Sequence, residues 1–343
     1  MECKISQAVY ERDKKPLTEP VLCRKVYIMK VYVAFSIMSI ICLSMLGCQK
    51  SDTITVNTSR KATEFKSVTK KRHENKIKKA KLEINFTKIT KTNEYDSAPA
   101  FSPDGTKIAY VAYHEDVQNI WIIDSEGKEE PKRITNTATL DNRPTWTPEG
   151  KSIIFSSAKL NDNTEPRLHI VNSDGTNLRQ LNKEVYGYSP SCSLLNGQIV
   201  FASKNNLRIM KGIDDKEPSY ITTKGYHDYP CWMDNAKNIL FFSDNDLHSI
   251  NINEKSTVRL TNTAWNSFPS VSFKTNKIAF ISNKGGNYDL WIMNGDGTNL
   301  IQITNDKYNE LYPCFSSDGS KIAFQSDKSG NFDIWVAKLP ENM

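Results

Sequence analysis

The amino-acid sequence predicts an all-β chain in which residues 83–343 form a six-bladed β-propeller, closed by a strand from the amino-terminal side. Three observations support this prediction. A proline recurs at intervals of 45, 46, 40, 39 and 44 residues, the same series of short alternating runs follows each proline, and the last copy lacks its fourth run. These six residues, called the repeat prolines below, are Pro99, Pro144, Pro190, Pro230, Pro269 and Pro313.

The clearest copy of the repeat spans residues 312–335. Its proline opens a short extended run, and Ser317, Asp318 and Gly319 predict a tight turn, because glycine tolerates the positive φ that such turns require. Two further strands are expected at 321–326 and 333–338. A unit of this size cannot bury its own strand faces, so it needs neighbours of the same kind.

Equivalent strands occur in the other copies. The second strand begins at Lys107, Ser152, Gln198, Asn238, Lys277 and Lys321. The third strand begins at Asn119, Arg167, Asn206, Asp246, Asp289 and Asp333. A short fourth strand follows in five copies, from Lys132, Arg179, Ser219, Val258 and Ile301. Helical repeats of similar length would show a period of about 3.6 residues, which these segments lack.

The missing fourth strand of the last copy has a substitute at the other end of the array. After Lys338 only LPENM remains, whereas TKITKT, residues 87–92, has the fourth-strand pattern and precedes the first copy. We expect this segment to pair into the last blade, because closure of the ring removes an exposed sheet edge.

The first 82 residues are expected to lie outside the propeller. Residues 1–47 comprise an upstream extension and a secretory signal, with a basic start at Met29-Lys30 and an uncharged apolar run at 31–46, so Met29 is expected to be the functional start. The segment 45–48, MLGC, resembles the lipobox of bacterial lipoproteins, which implies that Cys48 is lipidated. The alternative is a transmembrane anchor, for which the apolar run is short.

The charge is divided unevenly along the chain. The whole chain has a formal net charge of +6, but residues 1–82 carry +11, which leaves −5 for residues 83–343. Residues 48–82 therefore predict a lipid-bearing cysteine followed by a basic flexible tether, with too few apolar residues for a core. A mildly acidic propeller is not expected to bind nucleic acid.

The cysteines and most histidines predict packing roles. Cys231 and Cys314 follow repeat prolines at a small-residue position, and Cys192 lies at a core position, so no disulfide framework and no thiolate metal site is expected. His169 and His248 take the third-strand position that tryptophan holds in three other copies. His227 alone, just before Asp228 and a repeat proline, is a plausible site histidine.

The segments just before the repeat prolines are the candidate binding site. The innermost strand of each blade lines the central channel of a propeller, so these segments are expected to surround its mouth. They are rich in aromatic and acidic residues, which suits a peptide, protein or glycan ligand, although several rings are expected only to pack under neighbouring loops. The candidate residues are Asp96, Asp141, Arg143, Tyr188, His227, Asp228, Tyr229, Phe268, Glu310 and Tyr312.

Three segments resemble the repeats of the TolB-type propeller family, also called WD40-like or PD40 repeats. They are 101–110 (FSPDGTKIAY), 281–304 and 315–335, and the resemblance covers residues 84–338. Copies three and four depart from the pattern in their turns and have shortened loops. The resemblance implies a propeller used for protein contacts at the cell envelope, with the channel-mouth face as the docking surface. The family's additional amino-terminal α/β domain is not expected between Cys48 and Leu82.

Two functions remain open at this stage. The first is a non-enzymatic envelope lipoprotein, monomeric and without cofactor, that binds a protein or cell-wall component and is attached to the membrane by its lipid. Gln49 predicts the outer membrane of a two-membrane cell, or the outer face of a single-membrane cell. The second is a glycan-binding or lyase-like propeller, with a site at the central channel formed by His227 and nearby carboxylates. This alternative is suggested by the occurrence of similar repeats in a lyase that acts on a glycan. No Gly-x-Ser-x-Gly hydrolase motif occurs.

Overall fold

The computed structural model describes residues 83–114, 116–160, 165–233 and 236–341. The predicted signal peptide, Cys48 and the basic tether lie outside these residues. Within the described part of the chain, no helix is long and apolar enough to cross a membrane.

The described residues form an all-β structure. The first strands, in chain order, are β1 (Asn85–Lys88), β2 (Asp96–Phe101), β3 (Lys107–His114), β4 (Val117–Asp124), β5 (Lys132–Arg133), β6 (Thr139–Trp146), β7 (Ser152–Lys159), β8 (Arg167–Asn172), β9 (Arg179–Gln180), β10 (Tyr188–Cys192), β11 (Ile199–Ser203) and β12 (Asn206–Met210). The others are β13 (Ser219–Tyr220), β14 (Asp228–Trp232), β15 (Asn238–Ser243), β16 (Asp246–Asn251), β17 (Thr257–Arg259), β18 (Asn266–Ser272), β19 (Lys277–Ser282), β20 (Asp289–Asn294), β21 (Ile301–Gln302), β22 (Glu310–Phe315), β23 (Lys321–Ser326) and β24 (Asp333–Lys338).

These strands are arranged as a β-propeller, which confirms the all-β propeller fold that the sequence predicts. Four separate sheets of four strands have the orders β10-β11-β12-β13, β14-β15-β16-β17, β18-β19-β20-β21 and β1-β24-β23-β22. The first two repeats share one eight-stranded sheet, in which a single parallel pair, Gln118 with Leu140, connects β4 to β6. The innermost strands β2, β6, β10, β14, β18 and β22 contact one another in sequence, and β22 also contacts β2.

The fourth strands are shorter than the sequence predicts. They hold only two or three residues, and in four of these five repeats the chain leaves the ladder at a threonine whose hydroxyl accepts a hydrogen bond from the third strand. In the first repeat, for example, Thr135 Oγ1 accepts the N–H of Ile120 at 2.9 Å. The backbone N–H of the third strand is therefore bonded by a side chain where a longer fourth strand would have bonded it.

The predicted pairing between the two ends of the array is present, although the strand begins earlier than expected. Strand β1 is antiparallel to β24, with Asn85 opposite Lys338 and Lys88 opposite Trp335. The predicted segment 87–92 contains only its last two residues, because Thr90 leaves the ladder and its hydroxyl accepts the N–H of Ile334 at 3.0 Å. The last sheet thus obtains its fourth strand from the amino-terminal side.

Each innermost strand contains a bulge just before its repeat proline. The pairing register shifts there in all six copies. The residue before the proline has a φ between 48° and 53°, a left-handed conformation in which non-glycine residues are uncommon. Those residues are Ala98, Arg143, Ser189, Tyr229, Phe268 and Tyr312.

The hydrophobic core lies between neighbouring sheets. One cluster joins Val111 of β3 to Ile153 and Phe155 of β7, and another joins Ile108 of β3 to Ile334 of β24. The second cluster connects the first repeat to the last. The sheets are thus held together by stacked apolar faces.

Candidate functional site

Four of the six residues that precede the repeat prolines meet one another. The rings of Tyr229 and Phe268 have centroids 4.5 Å apart, and those of Phe268 and Tyr312 are 4.3 Å apart. The guanidinium carbon of Arg143 lies 4.2 Å from the Tyr229 ring centroid, 4.7 Å from that of Tyr312 and 5.4 Å from that of Phe268. We call these four residues the central cluster.

The central cluster lies across the middle of the ring of strands. Arg143 is on β6, whereas Tyr229 is on β14 and Tyr312 is on β22. Strand β10 stands between β6 and β14, and β2 stands between β22 and β6. Side chains from innermost strands that are not neighbours can touch only if they point inward, so the bulges direct these side chains into the central channel.

Arg143 is half-buried among the rings, in a cation–π arrangement. Its Nη2 donates to the hydroxyl oxygen of Tyr312 at 3.4 Å. Burial acts to lower the pKa of Arg143, but the neighbouring phenols and the Asp228 carboxyl outweigh it, so the net shift is upward. The guanidinium therefore remains charged.

Asp228 lies next to the central cluster and is buried. Its Oδ1 accepts hydrogen bonds from the hydroxyl of Ser189 at 2.9 Å and from the N–H of Tyr229 at 2.6 Å. Burial raises the pKa of Asp228, while the charge of Arg143 acts in the opposite direction. Its Oδ1 is thus bonded by donors of the strands themselves, and the phenol of Tyr226 is a further hydrogen-bond partner of this carboxyl group.

Further rings continue from the central cluster toward solvent. Trp265 lies 5.8 Å from Phe268, 5.8 Å from Phe242 and 5.3 Å from Tyr288, measured between ring centroids. Phe242 in turn lies 6.3 Å from Tyr226, which is 41% exposed. We call Tyr226, Phe242, Trp265 and Tyr288 the aromatic arc. It forms a continuous apolar path from an exposed ring to Arg143.

Phe242 and Tyr288 are not among the candidate residues named from the sequence. Phe242 occupies the fifth position of the second strand, where the other copies have Val111, Ser156, Ala202, Ile281 and Gln325. An aromatic residue at this position in only one of the six repeats is a sequence signal that could have identified Phe242 as a site residue. The position of Tyr288 offered no such signal, because the loop before the third strand varies in length.

The predicted acids Asp141 and Glu310 belong to junctions between repeats. Asp141 accepts hydrogen bonds from four hydroxyls, those of Thr135, Thr137, Thr139 and Ser157, at 2.6–3.1 Å. Glu310 accepts from the hydroxyl of Thr304 at 2.6 Å and from that of Ser326 at 2.9 Å. Both carboxyls are fully buried, so the expectation that they surround an open channel mouth is corrected: they join adjacent sheets.

Asp96 and His227 occupy the equivalent position in their repeats. Asp96 is buried and accepts a hydrogen bond from the hydroxyl of Thr92 at 3.3 Å. Nδ1 of His227 lies 3.1 Å from the hydroxyl of Thr222, and its ring packs edge-on to Phe241. Burial lowers the pKa of His227, which favours the neutral imidazole. These two residues are likewise junction residues rather than channel residues.

Tyr188 packs against the hydrophobic cluster that contains Trp232 and Phe241. Its ring is half-buried, and burial raises the pKa of its phenol. Tyr188 therefore packs against the strands of the third and fourth repeats and does not belong to the central cluster.

The comparisons with known proteins agree with this architecture. The family model described as "TolB beta propeller domain" (PD40) matches residues 45–264, more than half of the chain. The chain belongs to this family. It is also 28% identical over 230 residues to the Tol-Pal system protein TolB of Francisella tularensis subsp. mediasiatica, an alignment that covers 63% of this chain and 52% of that protein. The chain thus spans about half the length of the curated relatives it matches.

Solved structures show the same fold for this PD40 chain. The crystal structure of TolB from Acinetobacter baumannii has a TM-score of 0.56 and 21% identity, covering 70% of this chain and 65% of that one. Oligogalacturonate lyase from Vibrio parahaemolyticus has a TM-score of 0.53 and 12% identity, covering 77% of this chain and 100% of that one. At these identities the likeness shows the fold alone.

The cysteines of this PD40 propeller form hydrogen bonds or packing contacts on the innermost strands. Cys192, Cys231 and Cys314 are free thiols. Sγ of Cys314 accepts the N–H of Phe101 at 3.5 Å, in the way that Oγ of Ser270 accepts the N–H of the residue that follows Cys314. Cys314 therefore replaces a serine in a contact between neighbouring innermost strands, which agrees with its predicted packing role.

The third-strand histidines also have packing contacts. His169 stacks on Phe155 with a centroid separation of 5.8 Å, and His248 stacks on Phe241 at 5.7 Å. Across the described residues, histidines, cysteines and carboxylates do not gather in any group of three or more that could hold a metal ion.

Proposed function

We propose that this PD40 chain is a non-enzymatic cell-envelope lipoprotein whose propeller binds a protein or cell-wall partner at its central channel. The observation that supports this best is the central cluster, in which a charged guanidinium and three rings from innermost strands converge. Large rings and arginine are the side chains that contribute most to protein interfaces. The aromatic arc extends this surface to the exposed Tyr226.

We further propose that the propeller has six blades and is closed by β1. The eight-stranded sheet counts as two blades, since only one parallel pair joins its two repeats. With β1 completing the last sheet, each repeat then owns four strands. The proposed boundaries are residues 1–47 for the extension and signal peptide, 48–82 for the lipidated cysteine and tether, and 83–343 for the propeller.

The envelope location rests on two separate supports. The relatives are named as Tol-Pal system proteins, and the sequence before the propeller has a signal-like run that ends at Cys48. Export followed by lipidation would place the propeller outside the cytoplasm, tethered to the membrane by the basic segment. A single tethered propeller needs no second copy to complete its ring, so we propose a monomer.

A pull-down from detergent-solubilised envelopes tests the proposed function. The tagged full-length chain would be compared with the Tyr229→Ala, Tyr312→Ala double variant, and captured proteins would be identified by mass spectrometry. We expect a partner that the wild type captures and the double variant loses, because the variant removes two of the three rings around Arg143.

The matched control is the Tyr220→Ala, Val258→Ala double variant. Both residues are exposed on outermost strands, at 47% and 56%, far from the channel in strand order. The control should capture the same partner as the wild type. Equal capture by the central-cluster variant, with its fold intact by circular dichroism, would contradict a docking site in the channel.

The absence of enzymatic activity stays a prediction. The propeller fold is shared with a lyase, so fold alone does not decide the question. If the channel held a catalytic metal, added divalent cations would raise the melting temperature of the protein, because a ligand that binds only the folded state stabilises it. We expect no such response.

A further inference from the structure

Arg143 differs from every other arginine of the described residues in what it donates to. Arg133, Arg167 and Arg208 donate to backbone carbonyls, of Thr135, Lys183 and Pro218 respectively. Arg179 pairs with Asp214, and Arg259 pairs with Asp246. Within the described residues, the guanidinium of Arg143 donates only to the phenolic oxygen of Tyr312, at the long distance of 3.4 Å. It takes part in none of the ion pairs within 4.0 Å found in the described part of the chain.

This leaves most of the hydrogen-bonding capacity of the guanidinium unused. A guanidinium has five N–H donors, all in one plane. Aromatic rings that stack on the face of this plane stabilise the positive charge, but they are poorly placed to accept hydrogen bonds from donors that point outward in the plane. The nearest carboxyl, Asp228, already accepts bonds from Ser189 and from the N–H of Tyr229. A half-buried cation with free donors in a ring-lined channel calls for an acceptor from outside.

We propose that Arg143 receives a carboxylate of the bound protein partner, carried on a segment that enters the channel beside the aromatic arc. The planar fork of arginine matches the two oxygens of a carboxylate, and such bidentate bonds are among the strong hydrogen bonds in proteins. This inference rests on the proposed function, since it names the group through which the docked protein is held.

The surroundings favour a singly charged anion over the alternatives. An incoming cation would meet ring faces that Arg143 already covers, as well as the positive charge of Arg143 itself. A doubly charged phosphate would add its second charge next to buried Asp228, where like charges repel strongly. Apolar side chains next to the carboxylate would extend along Phe242 and Trp265.

Small probes test the site without knowledge of the partner. The melting temperature of the full-length protein in detergent would be measured across millimolar series of N-acetyl-L-phenylalanine, its amide, an acetylated Asp-Phe amide and inorganic phosphate. The first and third probes carry a terminal and a side-chain carboxylate, and the second carries none. We expect a saturable rise with either or both carboxylate probes, and none with the amide.

Variants assign any such effect to Arg143. Arg143→Met should weaken carboxylate binding by about tenfold or more, and Arg143→Lys by less, because lysine keeps the charge but loses the fork. Arg167→Lys is the control, since Arg167 also lies over a tyrosine ring, that of Tyr186, but outside the central cluster. Should Arg143→Met unfold, Arg143→Lys still distinguishes the outcomes.

Three results would overturn the inference: equal responses to the acid and its amide, no response to any carboxylate probe, or a stronger response to phosphate. The pull-down separates this inference from the function it rests on. A partner retained by Arg143→Met but lost by the Tyr229→Ala, Tyr312→Ala variant would leave channel docking intact and refute the carboxylate contact. A partner captured by no form of the protein would count against the proposed function instead.

Discussion

The residue before each repeat proline adopts a conformation that its neighbours in the sequence do not suggest. A residue that precedes proline usually favours an extended backbone, yet Arg143, Tyr229, Phe268 and Tyr312 all have φ near 50°. Each such non-glycine residue costs on the order of 1–2 kcal/mol, which packing must offset. The benefit is directional: the bulge points these side chains into the channel.

Single hydroxyl groups at the repeat junctions are expected to contribute as much to the free energy of unfolding as some apolar core side chains do. The hydroxyl of Thr135 accepts the N–H of Ile120 and donates to Asp141 at 2.7 Å. Thr135→Val keeps the shape of the side chain but leaves a buried N–H without its acceptor. We expect a loss of about 1–3 kcal/mol in the free energy of unfolding, measured by denaturant titration.

Thr298→Val provides the comparison for this substitution. Its hydroxyl donates to Asp296 in an exposed turn, where water can replace the lost bond. A change of no more than about 0.5 kcal/mol is expected there. Equal effects of the two substitutions would show that the junction threonine has only a local role.

The sequence located the binding segments better than the binding residues. Arg143, Tyr229, Phe268 and Tyr312 meet, with Asp228 beside them, whereas Asp96, Asp141, His227 and Glu310 lie in the junctions. All of these residues fall within three positions of a repeat proline. The spacing of the repeats alone does not show which residues near the proline point into the channel, because the bulge interrupts the regular alternation of side chains along the strand.

At the scale of elements, two of the junctions differ from the others in their charge. Each third strand begins opposite the residue that lies three positions before the next repeat proline. In the first and third repeats, an asparagine at the start of the third strand faces Asp141 or His227. In the last two repeats, by contrast, two carboxyl groups face each other: Asp289 faces Glu310, and Asp333 faces Asp96. One threonine hydroxyl serves each acidic pair: that of Thr304 lies 2.6 Å from Glu310 and 3.5 Å from Asp289. Burial, with the second carboxyl adding to it, raises the pKa of Asp96 and of Glu310 to about 7.

These raised pKa values predict that the two carboxyl groups destabilise the propeller as the pH rises. Between the ordinary pKa of a carboxyl and about 7, the folded state binds more protons than the unfolded state, so stability falls as the pH increases through that window. Asp96→Asn and Glu310→Gln should each flatten this slope and stabilise the protein at pH 8, by on the order of 1–3 kcal/mol.

Melting temperatures between pH 5 and pH 8 measure this effect. Glu217→Gln serves as the control, because Glu217 is exposed in the loop before the outermost strand β13, away from both junctions. The lowered pKa values of His169 and His227 act in the opposite direction in the wild type and in both variants, so the test is the difference between them. An amide variant with the wild-type slope would contradict the protonated junctions.

The departures of repeats three and four from the family pattern also have a structural reason. Lys204 and Asn205 both have positive φ, as do Asp244 and Asn245. Strands β11 and β12, and likewise β15 and β16, are therefore joined by two-residue turns of type I′, which match the twist of the hairpin. The sequence predicted the shortened loops, and asparagine is one of the few residues other than glycine that tolerate the positive φ these turns require.

For the whole molecule, the pairing of the two ends of the repeat array could be predicted, because the last repeat lacks a fourth strand and the segment before the first repeat has the fourth-strand pattern. Besides the β1–β24 ladder, the N–H of Asp96 donates to the carbonyl of Phe332 at 2.8 Å, and the hydroxyl of Ser317 donates to that of Pro103 at 2.5 Å. The contact between Arg143 and Tyr229 could not be predicted, because their strands are not neighbours and meet only through the geometry of the closed ring.

The central claim, that a partner protein docks at the channel, is tested most directly by photo-crosslinking in living cells. A benzophenone amino acid would replace Tyr226 at the channel, or Tyr220 on an outermost strand, two tyrosines of similar exposure at 41% and 47%. Our account predicts a discrete adduct from position 226 that Tyr229→Ala and Tyr312→Ala abolish, and none from position 220. Adducts from position 220 alone, or from both positions regardless of those substitutions, would contradict it.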